Sequence, residues 1–545
     1  MTELPDDLAK KLSDIIDLAE YGDAMAQFVL GICYYKGEGV KQSFKQAAVL
    51  FHKAAIQGCV DAQYFLSKCY VNGEGVKRDA FEATKWLMEA AEQGHVDAQY
   101  DLAGCYLEGE GVLQDYLQAV NWFTKAAKQG YEDAQFELAL CYAYGTGVSQ
   151  DFVTAAFWYR KAAEQGCACA QNSLGECYYF GTGVAQDFVE AVNWYRKAAE
   201  QDFVEAQYNL GQCYFFGAGV LQDYLQTVHW YNKAVEKNYA DAQCSLGICY
   251  LNGFGVEQDD AQAIVWLKKA AKQDDFYAQN VLACCYLTGR GAPQDFVIAV
   301  RWLNKAVEQG FADAEFNLGS CYFTGRGVKQ NFETAVMWFK KASEQGQVEA
   351  QYYLAACYNL GCGVVQDYQT AIELYRKAIE QNHIGACCDL GDCYYYGTGV
   401  AQDFVEAVNW YRKAANENFA QAQWGLGMCY FDGKGVEQDY VAAVELYLKA
   451  AEKGCADAQN SLGLCYFKGV GVQQDFERAV ELYLKAAEKE CADAQNNLGM
   501  CYFKGVGVQQ DFQRAAEWLI KASEQGCVDA KNNLQQLLQQ LRSQK

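Results

Sequence analysis

Residues 205–222 read EAQYNLGQCYFFGAGVLQ, and variants of this stretch recur fourteen times at a spacing of 36 residues, without an insertion or deletion. Each copy ends in G-x-G, from Gly37 and Gly39 to Gly505 and Gly507. A fixed period of this length indicates a stacked repeat protein, in which each unit buries its apolar face against its neighbours. The sequence therefore predicts one elongated array rather than several globular domains.

The first half of each copy has the apolar spacing of an α-helix, called helix A here. Ala206, Leu210, Cys213 and Tyr214 fall at i, i+4, i+7 and i+8, on one helical face. We expect the G-x-G to end helix A, because glycine tolerates the positive φ of a helix stop. The loop lacks the third glycine and the lysine of phosphate-binding loops, which argues against a nucleotide site.

A second helix, helix B, is predicted to begin at the aspartate of V-x-Q-D, for example Asp187. Ser43 and Asn331 replace this aspartate in two copies, and all three residue types are strong N-caps. The end of helix B carries Gly, Asn or Asp, the residues that most readily enter the left-handed region. Glu490 is the exception in this column, and the sequence offers no reason for it.

The predicted fold class is all-α: an α/α solenoid, a right-handed superhelix of fourteen helix-turn-helix repeats. We assign residues 1–22 to an N-terminal capping helix, residues 23–526 to the repeats and residues 527–545 to a C-terminal capping helix. The segment after Gly526 aligns with a helix A that continues as a Gln-rich helix. A polar outer face on a terminal helix prevents end-to-end stacking, so we expect a monomer.

The formal net charge is −24, from 69 acidic against 45 basic residues. Such a surface repels phosphate backbones and anionic membranes, which argues against nucleic-acid partners. The N-terminal residues are charged throughout, and no segment approaches the roughly 18 apolar residues of a membrane span. We expect a cytoplasmic protein without membrane insertion, and we leave open its export by a non-classical route or its delivery to a host cell.

Twenty-five cysteines are present, and fourteen of them occupy one repeat column, from Cys33 to Cys501. Equivalent residues on stacked helices lie roughly 8–10 Å apart, whereas a disulfide requires Cα atoms within about 7 Å. The column also falls on the apolar face of helix A, where a thiol serves as a small hydrophobic group. We therefore predict reduced, buried cysteines, consistent with a cytosolic compartment.

The pattern AQ-x-x-LG-x-CY-x-x-G-x-GV-x-QD-x-x-x-AV-x-WY-x-KAA-x-QG closely resembles the Sel1-like repeat family over residues 21–534. The resemblance implies a solenoid akin to tetratricopeptide repeats and a role as an adaptor or scaffold that assembles protein complexes. A secreted, cysteine-rich branch of the family staples each repeat with two cysteines and is associated with β-lactamase-like activity. The dominant cysteine column here has no regular second partner within the repeat, which argues against that branch.

The four histidines do not recur with Ser or Cys at the spacing of a nucleophilic site, so we predict no catalytic residue, cofactor site or metal site. One local cluster keeps the question of metal binding open. His383 and Cys387 lie i, i+4 apart, a helical spacing used by zinc ligands, and Cys388 is adjacent. Cys393, however, belongs to the column that we expect to be buried.

The columns of helix A represented by Tyr208, Asn209, Gln212 and Phe216 differ most between copies. Three of them fall at i, i+4 and i+8 and form a stripe beside the core stripe. Helix A lines the concave surface in related solenoids, so we predict that this stripe binds a protein or peptide partner. The candidate residues are Phe28, Tyr64, Tyr100, Phe136, Tyr208, Asn209, Gln212, Phe216, Phe316, Tyr352, Trp424, Asn460, Asn496, Asn497 and Asn532.

The predicted function is a non-enzymatic adaptor or scaffold that mediates protein–protein interaction through the concave helix-A surface. Two alternatives remain: a β-lactamase-like hydrolase, as in the cysteine-rich relatives, or a purely structural spacer. Residues of the variable stripe can also serve only to fill the space between repeats. Because CYFKGVGVQQDF recurs verbatim at Cys465 and Cys501, the C-terminal asparagines can reflect duplication rather than selection.

Overall fold

The computed structural model describes the backbone of residues 6–543 and the side chains of residues 12–541. All regular structure in this part of the chain is α-helical, and the chain divides into two compact units, Met1–Gln273 and Asp274–Lys545. The first unit contains α1 (Asp6–Glu20), α2 (Ala24–Lys36), α3 (Phe44–Ala55), α4 (Val60–Asn72), α5 (Ala80–Glu92), α6 (Val96–Glu108), α7 (Tyr116–Lys128), α8 (Glu132–Tyr144), α9 (Phe152–Gln165), α10 (Ala168–Phe180), α11 (Phe188–Glu200), α12 (Val204–Phe216), α13 (Tyr224–Glu236), α14 (Ala240–Asn252) and α15 (Asp260–Ala271). The second unit contains α16 (Phe276–Thr288), α17 (Phe296–Val307), α18 (Ala312–Thr324), α19 (Phe332–Glu344), α20 (Val348–Leu360), α21 (Tyr368–Glu380), α22 (Ile384–Tyr396), α23 (Phe404–Asn416), α24 (Ala420–Asp432), α25 (Tyr440–Glu452), α26 (Ala456–Lys468), α27 (Phe476–Ala487), α28 (Ala492–Lys504), α29 (Phe512–Glu524) and α30 (Val528–Ser543).

The even-numbered helices are helices A and the odd-numbered ones from α3 onward are helices B, as the repeat pattern predicts. The core of each repeat lies where the constant columns of the two helices meet. Ala206 and Leu210 of helix A are fully buried, and Tyr231 of helix B is 1% exposed. A Cβ atom on Gly211 would lie 2.7 Å from the Tyr231 ring, so this glycine allows the ring to pack directly on the helix-A backbone.

Both ends of helix B are capped as predicted. The Asp187 carboxylate accepts hydrogen bonds from the backbone N–H groups of Val189 and Glu190, 3.0 and 3.1 Å away. Ser43 and Asn331 cap their helices in the same way, which confirms that the substitutions preserve the N-cap. At the other end Glu490 has φ 64°, within the left-handed region that Asn, Asp and Gly adopt in the other copies. Nothing in the structure explains the choice of glutamate there.

The two glycines of the G-x-G loop have different roles. The first, for example Gly217, follows the last residue of helix A and has φ 71°. Its N–H donates to the carbonyl oxygen of Cys213 and so ends the helix. The second, Gly219, has φ 73°, and a Cβ atom there would lie 2.1 Å from the carbonyl oxygen of Phe188, at the start of the preceding helix B. The second glycine is therefore required by close contact between consecutive repeats as well as by its backbone conformation.

A ladder of buried glutamine side chains also links consecutive repeats. The Gln63 side chain is 3% exposed; its amide donates to the Ala55 carbonyl oxygen at 3.2 Å, and its own oxygen accepts from the Gln93 amide at 2.8 Å. The same link, from a side-chain amide to the acceptor 30 residues earlier, joins Gln57 to Gln27, Gln129 to Gln99, Gln165 to Gln135, Gln201 to Gln171, Gln273 to Gln243, Gln345 to Glu315, Gln381 to Gln351 and Gln525 to Gln495.

Four copies lack the donating glutamine of this ladder: Lys237, Glu417, Lys453 and Lys489 stand in its place. Lys453 still reaches its acceptor, Gln423, at 3.5 Å, whereas Lys237 and Lys489 do not replace the missing hydrogen bond. The Oε1 atoms of Gln207 and Gln459, which would accept from them, are buried without a hydrogen-bond partner among the described residues. A buried carbonyl oxygen without a donor is destabilising, so Lys237 and Lys489 mark weak points in the stack.

Terminal helices lie where the sequence placed them. Leu12, Ile15 and Ile16 of α1 pack against the first repeat, and Leu537 of α30 is fully buried against the last one. The extent of the predicted capping domains stays a prediction. None of the described helices combines the length and the apolar character that a bilayer crossing requires.

All 25 cysteines lie within the described residues and none is in a disulfide there, and most of the main column is buried. Two members of that column, Cys33 and Cys105, are only half-buried, which differs from the expectation. Cys33 belongs to the first repeat. Cys105 borders an opening in the surface at Gly104, because this glycine provides no side chain to cover the thiol.

Candidate protein-interaction surface

The asparagines of the predicted stripe form hydrogen bonds between repeats. The amide of Asn209 donates to the side-chain oxygen of Asn172 at 3.0 Å, and that of Asn497 donates to Asn460 at the same distance. Asn533 donates to Asn496 at 2.8 Å, and Asn317 to Asn280 at 2.9 Å. In each pair, a residue of the Tyr208 column meets a residue of the Asn209 column 37 positions later.

Aromatic members of the Tyr208 column follow the same pairing rule. Trp424 donates its indole N–H to the Ser461 hydroxyl at 3.1 Å, and the rings of Phe28 and Phe65 pack edge-on with centroids 5.6 Å apart. The further pairs of this kind are Tyr64 with Asp101, Tyr208 with Ser245, Phe316 with Tyr353 and Tyr352 with Asp389. The column therefore matches hydroxyl or amide donors with acceptors, and rings with rings, across the boundary between repeats.

Phe136, Tyr100 and Gln212 make side-chain contacts within their own repeat. Phe136 packs against Tyr159 with ring centroids 5.9 Å apart, and Tyr100 packs against Phe123 at 5.8 Å. The Gln212 amide donates to the Tyr208 hydroxyl at 2.5 Å.

Most of the predicted stripe is half-buried, and Asn496 is only 9% exposed. Phe216 and Asn532 are the exposed members. The stripe thus contributes to packing between repeats, and its contact with a partner stays a prediction.

The structure draws attention to exposed aromatic side chains that sequence reasoning did not single out. Tyr144, Phe180 and Phe216 end three successive helices A, and they are 77%, 70% and 65% exposed. We call these three residues the aromatic row. Their column was recognised as variable from the sequence, but only Phe216 was named. In the second unit, the same column exposes Leu360 and Tyr396 by 68% and 61%.

Carboxylates accompany the aromatic row on the same helices. Glu137 lies on α8 and Glu176 on α10, each in the turns that precede the aromatic residue. The Glu176 carboxylate accepts hydrogen bonds from the amides of Asn172 and Asn209 at 3.0 and 3.4 Å. Burial, followed by the charge of Asp133, raises the pKa of Glu137. This part of the first unit therefore presents exposed rings next to negative charge.

His383, considered from the sequence as a ligand together with Cys387, caps a helix in the structure. Its Nδ1 atom accepts a hydrogen bond from the Ala386 N–H at 3.0 Å and so caps α22, while its ring stacks on Tyr352 with the ring centroids 4.4 Å apart. Burial lowers the pKa of His383. Its Nδ1 atom therefore serves the N-terminus of α22.

The structure instead brings together Cys388, Asp389 and Asp392, whose potential ligand atoms lie within 4.8 Å of one another. The hydroxyls of Tyr352 and Tyr375 donate to Asp389, and the Tyr411 hydroxyl donates to Asp392 at 2.5 Å. These donors occupy carboxylate oxygens that a metal ion would use. Burial, and then the charge of Asp392, raises the pKa of Asp389 to about 6.

Comparison with known proteins agrees with this architecture. A family model described as Sel1 repeat matches the chain fourteen times, at residues 24–59, 60–95, 96–131, 132–167, 170–203, 204–239, 240–275, 276–311, 312–347, 348–383, 384–419, 420–455, 456–491 and 492–527. No curated protein sequence matches the chain.

Two solved structures are similar over much of the chain. One is a protective antigen present in uropathogenic Escherichia coli strains and displaying an SLR fold; it is 35% identical, with 82% of this chain and 97% of that chain covered and a TM-score of 0.66. The other, a Sel1 repeat protein from Oxalobacter formigenes, is 34% identical, with 56% of this chain and 88% of that chain covered and a TM-score of 0.47. The fourteen matched repeats, from residue 24 to residue 527, show that the chain belongs to the Sel1 repeat family.

Proposed function

We propose that this protein is a non-enzymatic adaptor that binds protein segments along the helix-A face of its repeats. Repeat solenoids of this class are typical scaffolds for protein–protein interaction. The aromatic row carries the proposal, because Tyr144, Phe180 and Phe216 expose 65–77% of their surface at matching positions of successive helices. Large exposed rings contribute little to folding, whereas aromatic residues are frequent anchors of protein interfaces.

The charge of the protein supports a protein partner with basic residues. The net charge of −24 disfavours nucleic acid and anionic membranes, and Glu137 and Glu176 lie beside the exposed rings. A segment that combines apolar and basic side chains would satisfy both features. The proposal includes a cytoplasmic, reducing location, in which the cysteines stay reduced and the protein acts as a monomer.

The test compares two sets of substitutions that each remove highly exposed apolar side chains. The first variant is Tyr144→Ser, Phe180→Ser and Phe216→Ser. The control is Leu113→Ser and Leu221→Ser, which changes loop residues that are 91% and 90% exposed but lie outside helix A. We expect quantitative affinity capture to recover the same partners with wild type and control and to lose them with the aromatic-row variant. Equal recovery with all three proteins would contradict the assignment of the face.

The wider stripe predicted from the sequence needs a separate variant, with Tyr64→Ala, Tyr100→Ala and Asn496→Ala. Because these side chains also pack between repeats, thermal unfolding must be measured alongside partner capture. Two results would favour the other functions. Turnover of a chromogenic β-lactam would indicate a hydrolase, and unchanged biological activity after replacement of the whole stripe would indicate a spacer.

A further inference from the structure

Gly104 lies in the interior of α6, where glycine is unfavourable for a helix. Of the glycines inside the described helices, it is the only one whose added Cβ would meet no heavy atom within 4 Å. At each of the others, a Cβ atom would lie 3.1 Å or closer to a neighbouring atom, as at Gly175 against the Tyr195 ring at 2.6 Å. Packing therefore explains those glycines but does not explain Gly104.

The absence of a side chain at Gly104 opens a pocket of about 320 Å³ in the helix-A face of the first unit. Leu87, Leu107, Phe123 and the thiol of Cys105 are among the residues that line it. The equivalent residue one repeat later is Leu140, which is half-buried. The pocket thus takes the place that a large side chain occupies in the neighbouring repeat.

Charged side chains line the same pocket, and two of them have no counter-ion among the described residues. The Lys68 ammonium lies 2.6 Å from the Asp101 carboxylate, and Arg78 lies 3.5 Å from Glu110. Glu108 and Glu137 also line the pocket, and among the described residues neither forms an ion pair. Since Glu137 is half-buried, a cation placed next to it would compensate a charge that is poorly solvated.

We propose that the Gly104 pocket binds the side chain of a leucine or methionine from a protein segment that carries a lysine or arginine beside it, with Glu137 and Glu108 receiving the cation. The proposal rests on the proposed function, because the occupant is part of a bound protein segment. A protein segment fits better than a free small molecule because the pocket continues into a larger surface. Glu137 and Tyr144 both belong to α8, so a segment leaving the pocket reaches the aromatic row within one repeat.

The test uses a library of random 12-residue peptides displayed on phage and selected against the full-length protein. We expect the selected peptides to contain leucine or methionine next to lysine or arginine. Gly104→Leu fills the pocket with the side chain that the next repeat carries, and it should weaken binding at least about tenfold, the value of one buried aliphatic side chain. Glu137→Gln should weaken binding less and reduce its dependence on salt.

Two controls separate filling of the pocket from other effects. Gly104→Ala stiffens α6 but leaves most of the pocket open, so it should retain binding. Leu140→Met changes the equivalent position of the next repeat with little change in volume and should also retain binding. Thermal unfolding shows whether Gly104→Leu keeps the fold, as its improved helix propensity predicts.

Peptides that bind Gly104→Leu as tightly as wild type would overturn this inference. If those peptides no longer bound the aromatic-row variant, the result would support the adaptor function but not the role of the pocket. A selection that enriched no peptide at all would contradict both proposals. Enriched peptides that depend on Gly104 but lack a basic residue would overturn the role of Glu137 and Glu108.

Discussion

The Gln93 side-chain amide donates a hydrogen bond to the buried oxygen of Gln63, 2.8 Å away on the helix A of the same repeat. The Gln63 amide in turn donates to the carbonyl oxygen of Ala55, at the end of the preceding helix B, so the two bonds together join each repeat to the one before it. Nearest-neighbour coupling of this kind determines the stability of repeat arrays. The places where the link is missing are therefore the first places to test.

We expect Lys237→Gln to stabilise the protein, because the new amide can donate to the unpaired Oε1 of Gln207. Satisfying a buried carbonyl should raise the free energy of unfolding by about 1 kcal/mol. Lys489→Gln should act in the same way on Gln459 in the second unit. Urea denaturation and hydrogen exchange of the adjoining helices would measure the effect. Lys128→Gln is the control, because it removes the same charge from an exposed residue at the end of a helix B whose ladder donor, Gln129, is already in place. An equal gain of stability there would contradict the explanation.

The two kinds of loop glycine should respond differently to alanine. Gly94, at φ 96°, has nothing within 4 Å of an added Cβ, so Gly94→Ala should cost about 1–2 kcal/mol for the left-handed backbone alone. At Gly75 the added Cβ would lie 2.1 Å from the Phe44 carbonyl oxygen. Gly75→Ala should therefore cost roughly 3–5 kcal/mol, since displacement of the preceding repeat adds to the backbone strain. Thermal or urea unfolding measures both losses of stability. Equal losses for Gly94→Ala and Gly75→Ala would show that the contact of Gly75 with Phe44 does not contribute.

Glycines inside helices A allow a second matched comparison. Gly104→Ala should raise the free energy of unfolding by about 0.5–1 kcal/mol, because alanine favours the helix and its Cβ enters open space. Gly175→Ala should lower it, because the same methyl group would lie 2.6 Å from the Tyr195 ring. The opposite signs can be read from urea denaturation of the two variants. Destabilisation by Gly104→Ala would contradict the open pocket.

The pKa of Asp389 predicts a specific dependence of stability on pH. Burial and the Asp392 charge raise this pKa to about 6, above the value of about 3.9 for unfolded aspartate. The stabilising contribution of proton binding is complete below about pH 4 and is lost as the pH rises through about 6. Asp389→Asn, which can still accept from Tyr352 and Tyr375, should therefore be more stable than wild type by roughly 1–2 kcal/mol at pH 7.5. The difference should disappear near pH 4, and a difference independent of pH would contradict the assignment.

Much of the fold could be predicted from the sequence because it depends on features that recur in every copy. The caps of helix B follow from residue chemistry at single positions, such as Asp187, and even Glu490 adopts the conformation of its column. The family and the helix boundaries follow from the same regularity. Local rules of helix formation are sufficient for these features.

Side-chain contacts between repeats were much harder to predict from the sequence. The pairing of Asn209 with Asn172 spans 37 residues and depends on how one helix A is offset from the next, which a single repeat does not specify. For the same reason, the role of the glutamine ladder was missed although its residues recur regularly. In the sequence, Gly104 is one of several different residues at the variable position represented by Gln212. Its lack of a packing role became visible only from the surrounding atoms.

The close approach of Gly219 to Phe188 has a consequence for how the protein can change in length. Within each compact unit, the described loops approach the preceding helix B in the same way, as at Gly75, Gly183 and Gly435, so residues of the repeated sequence itself form the junction between neighbours. Gain or loss of a whole unit recreates the same junction, whereas a shorter insertion in the loop separates the two backbones. Such a molecule can grow or shrink by whole repeats without rebuilding its core, and under the proposed function each added helix A would supply one more binding position.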